Sequence, residues 1–196
     1  LAASVLPTYL YNSVLLMLGV GAFVSIIGTG TAWLVAMCEF PGSRFFAWAL
    51  ILPMAMPAYV VAYVYTDFLE FAGPVQTFLR MLFNWTTSSD YWFPQIRSPG
   101  GAITVLSLVL YPYVYALTRA SFLEQSISTL EAGRVLGLTG TQNFFYTSLP
   151  LARPAIVVGV TLCLMEVLSD FGTVDYFAVR TLTVGIFDVW FGMENR

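Results

Sequence analysis

The sequence predicts an all-α, polytopic helical membrane protein, and three observations lead to that fold class. Of its 196 residues, 58% are hydrophobic and only 10% are charged, whereas soluble domains carry about 25% charged residues. Several long stretches contain no charged residue, which suits the apolar interior of a bilayer. The apolar residues show no period-2 alternation, so membrane-spanning helices are favoured over the strands of a closed barrel.

Four apolar stretches are predicted to span the membrane. Three of them, 12–38, 45–66 and 100–118, contain no charged residue and approach or exceed the roughly 20 residues that a bilayer core requires. The fourth, 154–165, is shorter and spans a bilayer only if its helix continues through Glu166 and Asp170. This stretch is therefore expected to carry two carboxylates.

Prolines are expected to kink two of these spans. Pro53 and Pro57 stand one turn apart in the second span, and Pro112 lies inside the third; each removes a helical hydrogen bond. Gly19, Gly21, Gly28 and Gly30 give the first span small surfaces for close helix contact. These features fit ordinary membrane packing, and they equally fit helices that line a path which opens and closes.

The connections between the spans differ in kind. Residues 39–44 form a tight turn, whereas 67–99 is long and carries the interface-type aromatic residues Trp85, Tyr91 and Trp92. Within it, 75–83 is predicted to be a short helix on the membrane surface. The positive-inside rule gives no orientation, because the eight arginines divide evenly between the two sides.

The polar segment 128–150 lies between the third and fourth spans and is predicted to form two short helices. Ser128 and Glu131 fit a capping box, and Gly137 is placed to end the first helix in the left-handed conformation. Thr139 and Gln142 fit a second capping box, opening a helix that Pro150 is expected to end. Such a unit is suited to being gripped by another protein, or alternatively to resting on lipid headgroups.

The segment 128–150 resembles the EAA loop of ABC-importer permeases, in which E-A-A is followed by three residues, a Gly, nine residues and I-x-L-P. Gly133 replaces the second Ala and Thr147 replaces the Ile, while every spacing is kept. Gly133 is expected to weaken its helix by up to about 1 kcal/mol relative to Ala. The resemblance implies that seven residues of this EAA-type loop couple the chain to an ATPase: Glu131, Ala132, Gly133, Arg134, Gly137, Leu149 and Pro150.

A second stretch, 166–193, is similar to the corresponding region of ferric-iron permeases of the binding-protein-dependent type, with Ser-Asp-Phe-Gly-Thr following an intramembrane Glu. The resemblance implies a MetI-like ABC-importer transmembrane domain, with a cytoplasmic coupling-helix loop, in a bacterial inner membrane. It also implies that 1–196 is a single transmembrane permease domain, most of one half of a longer permease. An earlier span is then expected before Leu1 and a last span beyond residue 196.

The chain is predicted to be a transport subunit and not an enzyme. It contains no Lys and hence no G-x-x-x-x-G-K-[ST] loop, so it is not expected to hydrolyse ATP. It has no His and no metal-type residue spacing; we predict no cofactor and no metal site of its own. The net charge of −3 does not suggest nucleic acid, and Cys38 and Cys163 are expected to be small buried residues.

The family resemblance implies the partners. ATP is then used by separate cytoplasmic ABC ATPase subunits, whose groove receives the Glu131 helix. A periplasmic substrate-binding protein delivers cargo to the other face, a second permease half completes the transmembrane path, and the lipid membrane surrounds both.

Glu166 and Asp170 are four residues apart and so share one helical face. Buried acidic residues in a span usually face the bundle interior or water, and carboxylate oxygens suit a hard cation. Both residues are therefore candidates for lining the translocation pathway. Alternatively, Glu166 accepts hydrogen bonds from a neighbouring helix and Asp170 caps the chain as it leaves the bilayer.

Ferric iron is the predicted cargo, with thiamine, phosphonate and polyamine as alternatives because their permeases share the EAA loop. A secondary transporter that uses Glu166 would account for that carboxylate but not for the EAA-type loop. A membrane enzyme or assembly subunit is the weakest alternative, since no nucleophile motif is present.

Overall fold

The computed structural model describes residues 2–87, 90–125, 133, 135 and 137–194, and within these ranges the chain forms helices and no strand. We number the helices in chain order: α1 (Ala2–Met37), α2 (Ser43–Ala49), α3 (Ala58–Leu69), α4 (Pro74–Phe83), α5 (Pro99–Glu124), α6 (Gly140–Asn143), α7 (Leu149–Ser169), α8 (Gly172–Tyr176) and α9 (Leu182–Glu194). The predicted surface helix at 75–83 is thus confirmed as a helix, α4.

Three helical segments are long and apolar enough to cross a membrane: Val5–Met37, Pro99–Glu124 and Gly140–Ser169. A fourth span is present if the bent pair Ser43–Ala55 and Ala58–Phe83 counts as one broken span. These segments confirm the polytopic all-α prediction. The last of the three continues through Glu166, as predicted, but it ends at Ser169, so the prediction that the helix also runs through Asp170 is wrong; the span gains its length from residues before 154 instead.

The second span is broken at the prolines, where the sequence predicted a kink. Helix α2 ends at Ala49, a 3-10 turn at Leu52–Ala55 contains Pro53, and Pro57 precedes α3 with an extended ψ of 135°. Two prolines one turn apart each lack the N–H that a continuous helix would need, and each disfavours a helical residue before it. A single proline is accommodated differently: α5 continues through Pro112.

The chain divides into two compact units. Unit one consists of Leu1–Val20, Met56–Val109 and Glu166–Arg196, and unit two of Gly21–Ala55 and Leu110–Met165. In unit one, α9 is tied to α1, because the Ser13 hydroxyl accepts a hydrogen bond from the Leu182 N–H at 3.0 Å. The Asn12 side chain likewise donates to the Arg180 carbonyl at 2.9 Å.

Unit two is held by close approach of α1 and α7 to α5 at Val114. A Cβ added at Gly28 would lie 2.7 Å from the Val114 Cβ, and one added at Gly159 would lie 2.8 Å from the Val114 Cα. Glycine is therefore required at both positions, as in other close contacts between membrane helices. Cys163 is buried nearby, as predicted, whereas the prediction for Cys38 is wrong because that residue is partly exposed.

Only part of the glycine pattern of α1 serves such contacts. Gly19 approaches Ile103 within unit one, and Gly28 approaches Val114 within unit two, whereas a Cβ at Gly30 would meet nothing within 4 Å. Gly28 and Gly30 therefore form a matched pair on the same helix.

We expect Gly28→Ala to destabilise the protein by about 1–3 kcal/mol, the usual cost of overpacking a tight contact. Gly30→Ala should be neutral or slightly stabilising, because it improves helix propensity in open space. Thermal unfolding in detergent micelles measures both. Equal effects of the two substitutions would show that the approach at Val114 is not a constraint.

Candidate functional site

The EAA-type loop lies partly outside the described residues. Glu131, Ala132 and Arg134 fall outside them, as does Ser128 of the first predicted capping box. The description resumes at Gly133 and Val135 and is continuous from Gly137. The structure therefore describes residues on both sides of the turn at Gly137 and the whole of the second helix.

Gly137 adopts the left-handed conformation predicted for it, with φ of +83°. The Leu138 N–H donates to the Gly133 carbonyl at 3.0 Å, which is the six-to-one bond of a Schellman helix end. A Cβ at Gly137 would meet no atom within 4 Å. The glycine is required here by backbone conformation and not by space.

The second capping box is also confirmed. The Thr139 hydroxyl oxygen accepts a hydrogen bond from the Gln142 N–H at 3.3 Å, and the Thr139 N–H donates to the Gln142 side-chain oxygen at 2.9 Å. Two N–H groups at the start of α6 are thereby satisfied reciprocally. The direction in which α6 leaves the turn is fixed by these two bonds.

The prediction that Pro150 ends the second helix is wrong. A π-helical turn at Phe144–Ser148 follows α6, the Leu149 N–H donates to the Phe144 carbonyl, and α7 then runs through Pro150 to Ser169. Pro150 directly follows this π-helical turn, and a local π adjustment is one way in which a helix continues past a proline that has no N–H to donate. The loop's second helix is thus continuous with the last span.

The structure accounts for glycine at position 133, where the EAA pattern has alanine. Gly133 is buried, and a Cβ added to it would lie 2.7 Å from the Oδ1 atom and 3.1 Å from the Cγ atom of Asn143. Asn143 itself is only 4% exposed and so has little room to move away. Gly133 therefore lies so close to α6 that an alanine there would require the buried Asn143 side chain to shift.

An aromatic contact and a hydrogen bond hold the loop's second helix to the neighbouring spans of unit two. The Phe144 ring lies 4.7 Å from Trp33 of α1, and the Gln125 side chain at the end of α5 donates to the Ser148 carbonyl at 3.0 Å. By contrast, Val135 is 87% exposed and Phe145 is exposed. The apolar side chains of the loop are thus divided, with Phe144 turned inward while Val135 and Phe145 are exposed.

Glu166 and Asp170 lie at the other candidate site, at the end of α7 in unit one. Glu166 is exposed, and no hydrogen bond from another residue of the described chain reaches its carboxylate. Asp170 follows the last residue of α7, and its Oδ1 atom accepts a hydrogen bond from the Thr173 N–H at 3.3 Å at the start of α8. Asp170 thus makes the contact that the capping interpretation expects, while Glu166 is open to solvent or to a partner.

The electrostatic environment of Asp170 disfavours its charged form. Burial raises the pKa of the Asp170 carboxyl, and the nearby Glu166 carboxylate raises it further, while the hydrogen bonds from Thr173 oppose this change. Among the described residues, no three of His, Cys, Asp and Glu lie close enough together to hold a metal ion.

Sequence reasoning missed the role of Asn143 and the π-helical turn after it. Asn143 is a polar residue in a polar loop, and nothing local distinguishes it. The one signal in the sequence was that glycine stands at position 133, where the family pattern has alanine. A glycine there indicates a close approach of another segment, but it does not say which residue of that segment approaches.

Comparison with known proteins gives one family. The sequence profile described as "Binding-protein-dependent transport system inner membrane component" matches residues 26–187. The molybdenum transport system permease protein ModB of Escherichia coli (strain K12) is 27% identical over 168 residues, which is 83% of this chain and 69% of that protein.

Two further relatives are similar at the same level. The Fe(3+)-transport system permease protein FbpB 2 of Haemophilus influenzae is 28% identical over 178 residues, 91% of this chain and 30% of its own length. The sulfate transport system permease protein CysW of E. coli (strain K12) is 29% identical over 154 residues, 76% of this chain and 48% of its own length. The chain thus spans only part of each of these proteins.

In the loop, we expect Gly133→Ala to destabilise the wild-type protein because the new Cβ meets Asn143, and to cost less in an Asn143→Ala background that opens the space. The coupling between the two substitutions should be about 0.5–3 kcal/mol, as for residues in direct contact. Thermal unfolding of the four proteins measures it. Strictly additive effects would show that the two residues do not constrain each other.

Gly137→Ala is expected to impair transport while membrane insertion is retained, since a left-handed conformation costs an L-residue about 1–2 kcal/mol. Gly140→Ala is the matched control, because its Cβ also enters open space but its backbone is not left-handed. Uptake at equal expression compares the two variants. Equal uptake by both would contradict a role for the turn geometry.

The sign of the Asp170 effect on stability follows from its raised pKa. The folded protein holds this proton more tightly than the unfolded chain does, so stability falls as pH rises from about 3.9, the ordinary Asp pKa, through the folded value. Asp170→Asn cannot ionise, and it should be at least as stable as wild type at pH 7. That advantage should vanish below about pH 3.9; an equal loss of stability at both pH values would contradict the assignment.

A family match over residues 26–187 covers most of the 196-residue chain, and it agrees with the helical spans and with the spacing of the EAA-type loop. The chain therefore belongs to the binding-protein-dependent transport system inner membrane components, the MetI-like multi-pass permeases of ABC importers.

Proposed function

We propose that this permease carries ferric iron across the inner membrane in an importer driven by ATP. The observation that carries the choice of cargo is Glu166: an exposed carboxylate on a membrane-spanning helix, one turn before a second carboxylate at Asp170. A charge facing lipid is unfavourable, so such a residue is expected to face a water-filled path or a partner. Carboxylate oxygens are ligands that a hard cation prefers.

The relative named as an Fe(3+)-transport permease supports the same cargo. It matches 91% of this chain, including the stretch that contains Glu166. Its 28% identity is close to that of the molybdenum and sulfate permeases, so identity alone does not select iron. The exposed Glu166 carboxylate favours iron in this proposal, because a negative group near a path would repel molybdate and sulfate.

Energy for transport comes, in this proposal, from cytoplasmic ATPase subunits that receive the EAA-type loop. The chain itself binds no cofactor, and ATP is used by those partners. Gly137, the Thr139–Gln142 capping box and the Gly133–Asn143 contact fix the start of the loop's second helix relative to Gly133. Because that second helix is continuous with α7, displacement of the loop by a moving ATPase would be transmitted directly to the span that carries Glu166.

The remaining partners complete the path. A periplasmic binding protein delivers iron, and a second permease half faces the exposed side of Glu166. The break at Pro53 and Pro57 and the proline in α5 at Pro112 are positions at which the spans could bend during transport.

Oxyanion import is the second candidate, favoured by the molybdenum and sulfate relatives. Uptake of radioactive iron, molybdate and sulfate into cells that lack their own systems for each distinguishes the two. Accumulation of iron alone supports the proposal, whereas uptake of either oxyanion without iron replaces it.

We expect Glu166→Gln to lower iron uptake by roughly tenfold or more, which corresponds to about 1.4 kcal/mol at one critical step. Gln retains the shape and the hydrogen-bonding ability of Glu but lacks the charge that attracts a cation. Glu124→Gln, at the exposed end of α5, is the matched control and should import normally.

The stimulated activity of the partner ATPase should persist in Glu166→Gln, since the EAA-type loop is unchanged. Near-normal iron uptake by this variant at matched expression would reduce Glu166 to a packing residue and remove the main support for a cation as cargo.

A further inference from the structure

Helix α4 has its polar and apolar faces inverted relative to a helix in a water-soluble domain. Its polar side chains Gln76, Thr77 and Arg80 turn toward the chain, and Gln76 is only 6% exposed. The opposite face consists of Phe78 and, one helical turn later, Met81 and Leu82. All three side chains are exposed, and Met81 retains 71% of its accessible surface. We call these three residues the outer face of α4.

The buried polar side of α4 is hydrogen-bonded. The Gln76 amide donates to the Leu69 carbonyl at 2.7 Å and accepts from the Tyr91 hydroxyl at 2.6 Å. Arg80 donates to the Phe71 carbonyl at 2.7 Å and lies 4.0 Å above the Phe71 ring. These contacts hold the polar side of α4 against the rest of the segment. Because the apolar side lies on the opposite face of the same helix, it points outward.

Charge is absent from the outer face of α4 and concentrated elsewhere in the same segment. Arg97 pairs with Glu70 at 2.8 Å, and Asp90 accepts hydrogen bonds from the Thr86 and Thr87 N–H groups. These groups are exposed and suit water. None of these charged residues belongs to the outer face of α4, and such a separation of apolar and charged groups is typical of a structure lying at a membrane surface.

The outer face also continues an apolar surface that begins on a predicted span. Helix α3 exposes Val64 and Phe68, and only four residues lie between the end of α3 and the start of α4. A Cβ at Gly73 would lie 2.5 Å from the Asp67 carbonyl oxygen, so the start of α4 is pressed against the end of α3. This places α4 within a few ångströms of the end of a membrane-spanning segment. Its ten residues rise only about 15 Å, too short to span.

We propose that α4 lies in the plane of the membrane, with Phe78, Met81 and Leu82 inserted among the lipids at the boundary between headgroups and acyl chains. The polar side of the helix, with the aromatic residues Trp85 and Tyr91, then stands at headgroup level, where Trp and Tyr are enriched. The helix anchors the long 67–99 connection so that it cannot swing freely above the membrane.

Lipid fits this face better than a delivery protein does. A binding protein arrives and leaves in each transport cycle, and between visits an apolar face of this kind would stand in water. Lipid is always present beside the end of a span. A second permease half would also cover the outer face of α4 permanently. The experiment below distinguishes cover by protein from contact with lipid.

The test is site-directed spin labelling of the permease in phosphatidylethanolamine–phosphatidylglycerol vesicles. Cys38 is first replaced by Ala, while Cys163 is buried and does not need replacement. Phe78→Cys and Met81→Cys then report separately on the outer face. Leu18→Cys, exposed on α1, is the lipid reference, and Gln95→Cys, exposed in the 67–99 connection, is the water reference.

Oxygen partitions into lipid and a nickel chelate stays in water, so the ratio of their collision rates reports the environment of each label. At positions 78 and 81 this ratio should be several-fold higher than at 95 and should approach that at 18. A ratio equal to that at 95 would show a face open to water and overturn the proposal. Protection from both reagents would show cover by protein and overturn it equally; a normal melting temperature of each variant excludes misfolding as the cause.

Discussion

Close approach of backbones is the constraint on which the rest of unit two depends. Lipid is as apolar as the side chains of a span, so burying those side chains gains little and helices associate through close packing instead. Gly28 and Gly159 bring α1 and α7 onto α5 at Val114. The Phe144 ring and the Gln125 side chain then fasten the EAA-type loop to α1 and α5. The second helix of the loop is thus in contact with both spans.

A glycine also permits a close approach inside the EAA-type loop. Gly133 permits a close approach to Asn143, and Gly137 permits the left-handed turn between them. The capping box and the π-helical turn then lead into α7 without interruption. The chain departs from the family pattern at Gly133, and the departure is matched by a residue ten positions later. The weaker helix propensity of glycine is therefore accompanied by a close contact that alanine would disturb.

Much of this was predictable where local chemistry decides the structure. Charge-free apolar stretches predicted the spans, a glycine before a second capping box predicted the turn at Gly137, and the 75–83 stretch was predicted to be a short helix, which is α4. Pro150 was assigned wrongly, because a proline in the first turn of a helix and one that ends a helix look alike in sequence. Asn143 was missed because its role depends on a contact across the loop. The cargo does not follow from local sequence chemistry, because the relatives named as molybdenum, iron and sulfate permeases are similar to this chain at nearly the same identity, so it stays a proposal.

We propose that cytoplasmic ATPase subunits receive the EAA-type loop, and cross-linking at Val135 tests this proposal most directly. Val135 is exposed beside the turn, and a cysteine there in the Cys38→Ala background should be joined to the ATPase subunit by a short bifunctional reagent. Trp92→Cys, in the connection that the family places on the opposite side of the membrane, should give no such product. If Val135→Cys forms no cross-link and reacts freely with a water-soluble maleimide in the assembled transporter, the loop is not the ATPase contact and the account fails.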